Sequence, residues 1–243
     1  VTSPDTVVPP ALTLGIIGAG RIGRAIAVLA RRAGLDVRVA ASRPPEQLRA
    51  DVEAAAPGAS AVSVEDVARA DIVVIAIPLG RHRQLPPEAL AGALVVDAMN
   101  YWWELDGARP EFEDPTTSTS ETVQAHLADA RVVKAFGHVS AYALEELARA
   151  AGDPERLAMA IAGDDERDVA AVGALVDALG FDPLPAGTLA EGVRFEPGTE
   201  LFGADADVAE ARDMLERFWD SQRGRVVARA RGLSPERGAD GAG

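Results

Sequence analysis

The hexapeptide Gly18-Ala19-Gly20-Arg21-Ile22-Gly23 follows directly on the apolar run Leu12 to Ile17 and leads into the helical pattern Ile22, Ala25, Ile26, Leu29 and Ala30. A strand, a glycine turn and a helix in that order restrict the chain to a βαβ unit of the dinucleotide-binding kind. The three glycines have separate tasks: one makes the tight turn, one lets the backbone approach a pyrophosphate, and one lets the helix pack closely on the strand. The pyrophosphate then rests on the helix N-terminus, against free N–H groups and the positive end of the dipole.

The residue that ends the second strand decides which dinucleotide is bound. An Asp or Glu about 20 residues past the glycines accepts from the ribose 2′-OH of NAD(H). Here the strand Asp36-Val37-Arg38-Val39-Ala40-Ala41 runs into Ser42-Arg43-Pro44-Pro45. A carboxylate would repel a 2′-phosphate, whereas a hydroxyl and a guanidinium both donate to it, and a charge-assisted contact contributes about 1.5–3 kcal/mol. NADPH is therefore expected to be preferred over NADH by about one to two orders of magnitude. Arg21, in the first helical turn, is a second candidate cation. The competing reading of Arg43 is a solvated loop residue ahead of the Pro-Pro break.

Composition narrows the function classes. A length of 243 residues suits one large domain, or one domain and a small second lobe. A formal charge of −14 argues against nucleic acid or an anionic membrane as partner, and it makes the local cluster Arg81-His82-Arg83 informative. The absence of cysteine excludes disulfides and thiolate chemistry and agrees with a cytoplasmic location. No run of 18 apolar residues is present to span a membrane. Val1 to Pro10 and residues 232–243 read as a disordered lead and tail.

Strands and helices alternate through most of the sequence, which predicts an α/β fold with a doubly wound parallel sheet of the Rossmann type and a smaller C-terminal α/β lobe. The expected division is 11–136 for the dinucleotide-binding domain and 137–231 for the lobe. Strands are expected at Leu12–Ile17, Val37–Ala41, Ile72–Ile77, Ala93–Asp97, Val132–Phe136, Ala158–Ala162 and Phe181–Leu184. Helices are expected at Gly20–Ala33, Pro45–Ala56, Val64–Ala70, Pro86–Ala91, Thr119–Ala128, Ala141–Ala151, Asp165–Leu179 and Val208–Ala230. Ser63 with Asp66 and Ser118 with Glu121 have capping-box spacing at two of these starts.

Ligands bind at the carboxyl ends of the strands in such sheets, so the segments that follow the strands form one functional set. Pro78-Leu79-Gly80 either lies along the nicotinamide-side ribose or simply stops its strand. Asn100-Tyr101-Trp102-Trp103 opens a loop that runs to about Thr117, and its aromatic faces suit a planar heterocycle or a hydrophobic plug. His138, just past a strand end, is the candidate for contact with a reacting ring or a carboxamide, the alternative being a histidine bonded to a loop carbonyl. His126 reads as a surface residue on an amphipathic helix. Lys134, the only lysine, reads as a structural ion-pair partner within its strand. Asp164-Asp165-Glu166 reads as an acidic helix start rather than a metal site.

With these segments in hand, the chain resembles the NADPH:coenzyme F420 oxidoreductases (F420-dependent NADP reductases), which carry hydride between NADP(H) and a deazaflavin. The resemblance rests on Gly15 to Gly23, Ala41-Ser42-Arg43, Ala76-Ile77-Pro78-Leu79-Gly80, Val96-Asp97-Ala98-Met99-Asn100-Tyr101-Trp102, Val133-Lys134-Ala135-Phe136-Gly137-His138, Ile161 to Asp165 and Asp182 to Gly187, in that order. It implies an NADP(H) site formed by Gly18, Ala19, Gly20, Arg21, Ile22, Gly23, Ser42, Arg43, Ile77, Pro78, Leu79, Met99, Asn100, Ala135 and His138. It further implies a second planar-ring site at Tyr101, Trp102 and Gly137, completed by Leu189 to Phe202, with coenzyme F420 as co-substrate. Anionic groups of a deazaflavin tail would have Arg81, Arg83 or the hydroxyls of Thr117 to Ser120 available, although those hydroxyls also suit a helix cap. One departure stands out: Gly137 occupies a position where this family leads one to expect Asn.

Hydride transfer between two such rings needs close stacking and exclusion of water but no acid, nucleophile or metal. The alternatives are an NADPH-dependent reductase of a flavin, a ferric chelate or a small C=O or C=N substrate, and a non-catalytic NADP(H)-binding regulator. A homodimer is one way to cover Met214, Leu215, Phe218, Trp219, Val226 and Val227 on the last helix; the chain's own core is the other.

Overall fold

The computed structural model describes residues 12–233. The expected disordered lead, and the expected tail beyond Leu233, lie outside the described residues. The first strand, β1 (Thr13–Ile17), is followed by α1 (Arg21–Arg32), β2 (Asp36–Ala40), α2 (Pro45–Ala55), the two-residue β3 (Ser60–Ala61), α3 (Val64–Val67) and β4 (Ile72–Ile75). A 3₁₀ turn over Leu79–Gln84 leads to β5 (Leu94–Asp97), and α4 (Trp103–Asp106), α5 (Pro110–Glu113) and α6 (Thr119–His126) lead to β6 (Arg131–Lys134). The chain continues through α7 (Ala141–Glu146), β7 (Ala158–Gly163), α8 (Glu166–Ala178) and β8 (Asp182–Gly187), then a 3₁₀ segment over Leu189–Phe195, α9 (Val208–Arg217) and α10 (Gln222–Ala230).

The strands form one sheet in the order β3-β2-β1-β4-β5-β6-β7-β8, parallel except for the antiparallel pair β6–β7. Register aligns the ends of five strands in one row: Ile17 pairs with Ala40 and Ile75, Ile75 with Asp97, and Asp97 with Lys134. The loops that leave this row are therefore neighbours in space. Because β7 and β8 run the other way, the acidic segment at Asp164 leaves the sheet away from that row, and Asp165 caps α8 by accepting from the N–H groups of Arg167 and Asp168. Pro183 and Pro185 sit on β8, an edge strand, where a missing N–H costs no ladder bond.

The central strands are buried on both faces, as parallel strands covered by helices must be. Leu14 and Ile16 point to one core with α1, α2, α7 and α8, whereas Ile17, Val73 and Ile75 point to a second core on the opposite face. Gly15 lets α3 come close, since a Cβ there would lie 2.7 Å from the Val67 side chain. The far part of the sheet has its own cluster, in which Ala160, Leu184 and Phe195 pack under Ala211 and Leu215 of α9.

Besides the short helices α4 and α5, which lie in the stretch expected to be a loop to about Thr117, three elements differ from expectation. Pro86–Ala91 is a turn, not a helix, because Leu85 is held extended ahead of Pro86, and the helical hydrogen bonds fall earlier in the 3₁₀ turn. The expected single helix Val208–Ala230 breaks at Phe218–Asp220, where Ser221 starts α10 by accepting from Gly224 N–H. A Cβ at Gly224 would lie 1.9 Å from the Phe218 carbonyl oxygen, so the close turn depends on that glycine. The third is the short strand β3, whose Ser60-Ala61 carries no apolar alternation. Leu215, Phe218 and Val227 are covered by the chain itself, and Val226 is exposed.

Candidate functional site

At the end of β1 the backbone turns through Gly18, whose φ of +122° favours glycine and whose Cβ would lie 2.3 Å from the Ala76 carbonyl oxygen. A Cβ at Gly23 would lie 1.9 Å from the Gly18 carbonyl oxygen, so α1 meets the turn without a side chain between them. Gly20 is different: nothing lies within 4 Å of where its Cβ would be. It precedes α1, whose first turn has no side-chain cap and no acidic residue. Free N–H groups and an uncompensated dipole thus face a cleft of about 350 Å³. Its walls include Ala19, Ser42 and Arg43 on one side and Ile77, Pro78 and Arg81 on the other. Leu79 turns its side chain into the core.

At the Ser42 end of the cleft, Arg43 Nη2 lies 2.5 Å from Asp51 Oδ2 in a pair about half exposed on both sides. Exposed pairs of this kind are worth about 0.2–1 kcal/mol, so the guanidinium can exchange partners. Arg24 lines a small neighbouring pocket with Arg43 and Asp51, its Nε donating to the Ala19 carbonyl. The second cation at this corner is therefore Arg24. Arg21 instead extends toward Glu145 of α7, at 3.4 Å. Arg24, one turn further along α1, was legible only as the residue just after the third glycine.

The loops after β5 and β6 meet at Asn100 and Gly137. Asn100 Nδ2 donates to the Gly137 carbonyl at 2.6 Å, while its Oδ1 is buried without a partner. A Cβ on Gly137 would approach that Oδ1 to 3.3 Å, so the Asn100 amide occupies space that a side chain at 137 would crowd. Met99 and Ala135 are buried beneath this junction. Phe136, at φ 61°, is the one non-glycine residue with positive φ among the described residues, and its bend delivers Gly137 to the junction.

His138 does not present its ring to the cleft. The ring is 1% exposed, its Nε2 accepts from Ala160 N–H at 2.9 Å, and it meets Phe195 edge-on. Only its backbone serves the rim: the His138 carbonyl accepts from Gly203 N–H at 2.7 Å, tying the β6 loop to the segment that carries Phe202. Burial, with the Lys134 ammonium adding to it, holds the imidazole far below its usual range, at about 4. The neutral ring is required because a proton on Nε2 would remove the acceptor for Ala160. A folded pKa below the unfolded value of 6.5 means that this stabilisation is complete above pH 6.5 and is lost as pH falls toward 4. Denaturant unfolding between pH 7 and 4 should show a loss on the order of 3 kcal/mol from this group. His138→Gln should flatten that slope without abolishing it, since burial also lowers the pKa of His82.

The aromatic loop divides its residues. Tyr101 organises the loop: its hydroxyl accepts from Arg109 N–H at 3.1 Å and donates to the Gly107 carbonyl at 3.0 Å, and its ring packs on Phe112. It faces a different groove, shared with Arg223 and Val227. Trp102 is 42% exposed and meets Phe202 edge-on with centroids 5.6 Å apart. Asp106 fixes it in place, accepting from Trp102 N–H at 3.1 Å and from Gly80 N–H at 2.9 Å. This carboxylate joins the loops after β4 and β5, yet in the sequence it is one acidic residue among many.

Of the four hydroxyls considered for an anionic tail, those of residues 118, 119 and 120 are committed elsewhere. Ser118 caps α6 in a full capping box and donates to the Leu189 carbonyl, Thr119 donates to Glu196, and Ser120 donates to Asp97. Arg83 lies 3.9 Å from Glu111, while Arg81 lines the nucleotide cleft. His126 is half-buried, with Nε2 3.0 Å from the Leu85 carbonyl oxygen. No helix among the described residues is long and apolar enough to cross a membrane.

Comparison with known proteins agrees with this geometry. Residues 13–101, from β1 through the loop after β5, match the family described as NADP oxidoreductase, coenzyme F420-dependent. No curated protein matches the chain. Among solved structures, a hypothetical protein of Sinorhizobium meliloti is 27% identical with a TM-score of 0.70, over 80% of this chain and 94% of its own. A proposed F420-dependent NADP-reductase of Arthrobacter sp. FB24 is 22% identical with a TM-score of 0.63, over 93% and 97% of the two chains. The reductive aminase of Aspergillus terreus, in complex with NADPH and ethyl levulinate, is 17% identical with a TM-score of 0.53, over 93% of this chain and 68% of its own. The last two share the fold. Residues 13–101, which build the glycine turn, the Ser42-Arg43 corner and the Asn100 rim, are thus the part of the chain that is similar to this family of NADP-dependent oxidoreductases.

Proposed function

We propose that the protein transfers hydride between NADP(H) and a deazaflavin, coenzyme F420. The observation that carries this reading is the rim where Asn100 Oδ1 is buried without a partner beside Gly137, which adds no side chain of its own. An acceptor in that position fits the amide N–H₂ of a nicotinamide carboxamide, and the missing side chain at 137 lets the Asn100 amide keep its place there. The two carriers supply the donor and acceptor carbons for two electrons and one proton, moved together as hydride. The protein's own work is to hold and to shield.

In this reading the N–H groups of the first turn of α1 receive the pyrophosphate, and Gly20 admits it. Ser42 and Arg43, with Arg24 beside them, donate to the 2′-phosphate. Ile77 and Pro78 line the path along the ribose toward Asn100. Trp102, set by Asp106 and backed by Phe202, offers an aromatic wall to the second ring and excludes water there.

The test is turnover by the full chain with NADPH or NADH against coenzyme F420, FMN, FAD and ferric chelates. Bleaching of the deazaflavin, with NADPH favoured over NADH by about one to two orders of magnitude, is expected. Turnover of FMN alone would replace the deazaflavin by a flavin. Tight NADPH binding with no acceptor reduced would make the protein a binding module.

A further inference from the structure

Both main-chain groups of Met99 are held by side chains that solvent does not reach. Asp97 Oδ1 accepts from Met99 N–H at 2.9 Å, and Lys134 Nζ donates to the Met99 carbonyl at 3.3 Å. Asp97 and Lys134 are register partners at the ends of β5 and β6, are both fully buried, and lie 3.8 Å apart. The remaining Asp97 oxygen accepts from Ser120 at 2.6 Å. The ammonium also lies 3.5 Å from Thr119 Oγ1, whose hydroxyl donates to Glu196, and Glu196 accepts in turn from Arg223 of α10. Space for the lysine stem depends on Gly192, where a Cβ would come within 2.8 Å of Lys134 Cδ.

An ion pair this deep is a poor means of adding stability, because desolvation offsets much of the attraction and an apolar pair of the same size usually does as well. What it does fix is direction. With Met99 gripped at N–H and C=O, the next residue can leave the strand end in one way, and that way carries the Asn100 amide to Gly137. We propose that Asp97 and Lys134 are positioning residues that aim Asn100 at the nicotinamide end of bound NADP(H). The inference rests on the reading of the Asn100 rim given above and adds to it the groups that set that rim.

The test compares affinities of the full chain for NADPH and for 2′,5′-ADP, which carries the adenine end alone, by titration calorimetry. Asp97→Asn combined with Lys134→Met removes both charges together, so neither is left stranded. This variant should bind 2′,5′-ADP as the unaltered protein does and lose about tenfold in NADPH affinity. Asn100→Ala should show the same pattern, and adding it to the paired change should cause no further loss. Unchanged NADPH affinity, an equal loss for 2′,5′-ADP, or a larger loss in the combined variant would each overturn the assignment. If Asn100→Ala itself leaves NADPH affinity intact, the reading of the rim has failed and the positioning role falls with it. Should the paired variant not fold, Thr119→Val withdraws one acceptor from the ammonium at a distance from the rim. A selective loss of about threefold for NADPH supports the role, and none refutes it.

Discussion

Gly23→Ala should weaken NADPH binding roughly 100-fold and lower stability, whereas Gly20→Ala should leave the fold intact and weaken NADPH alone. A Cβ at position 23 would lie 1.9 Å from the Gly18 carbonyl oxygen, more than 1 Å inside any real contact. The turn cannot yield, because Gly18 is itself pressed on Ala76 and its N–H is bonded to the Ala40 carbonyl at 2.8 Å. Relief must come from lifting α1 off β1. Overpacking of this kind costs about 1–3 kcal/mol, and a displacement of about 1 Å at a binding site costs roughly 100-fold. Position 20 has open space around the missing Cβ and φ of −74°, which alanine adopts freely. In the proposed reading its glycine admits the ligand, so Gly20→Ala should keep the melting temperature and lose about tenfold or more in NADPH affinity. Equal melting temperatures for the two variants, or an NADPH affinity of Gly23→Ala close to that of the unaltered protein, would remove this division of labour among the glycines.

That division shows what a linear reading reaches. The apolar runs that became β1, β4 and β5, and the order of strand ends around one rim, follow from hydrophobic periodicity and glycine placement, which depend on near neighbours in the chain. Local chemistry missed the competition at Leu79 to Ala91, where two prolines forced the helical hydrogen bonds into the earlier 3₁₀ turn. It also missed the break at Ser221, because an apolar pattern spanning Phe218 looks continuous until the Gly224 approach is known.

Site residues divide along the same line. Ser42 and Arg43 line the cleft, and Asn100 and Gly137 meet where the loops after β5 and β6 come together, because backbone position alone placed them there. His138 and Tyr101 occupy strand-end positions as expected, but their side chains turn away, one into the core against Ala160 and the other toward Arg109 and Gly107. Rotamer choice depends on packing partners more than 20 residues distant for His138, and no sequence periodicity encodes it. Arg24 and Asp106 were overlooked for the converse reason. Each is an ordinary charged residue whose role comes from a neighbour on another loop.

The largest stability effect expected of a single substitution is at the buried ion pair. Lys134→Met keeps the volume of the stem on Gly192 but leaves the Asp97 carboxylate with a hydroxyl and an N–H as its partners and no charge opposite. Breaking one side of a buried pair costs about 3–5 kcal/mol, since the survivor keeps its desolvation penalty without the attraction that offset it. For a chain of this size that corresponds to a fall of roughly 6–20 °C in melting temperature. Asp97→Asn alone should be smaller in effect, because the amide still accepts from Met99 N–H while the ammonium retains the Met99 carbonyl and Thr119. The two changes combined should be milder than Lys134→Met, giving a favourable coupling in a double-mutant cycle by denaturant unfolding. Additive losses would mean that the residues are held by packing alone. A strong coupling in stability, together with a selective loss of NADPH and not of 2′,5′-ADP, would mean that one buried pair both joins β5 to β6 and sets the geometry of the rim above them.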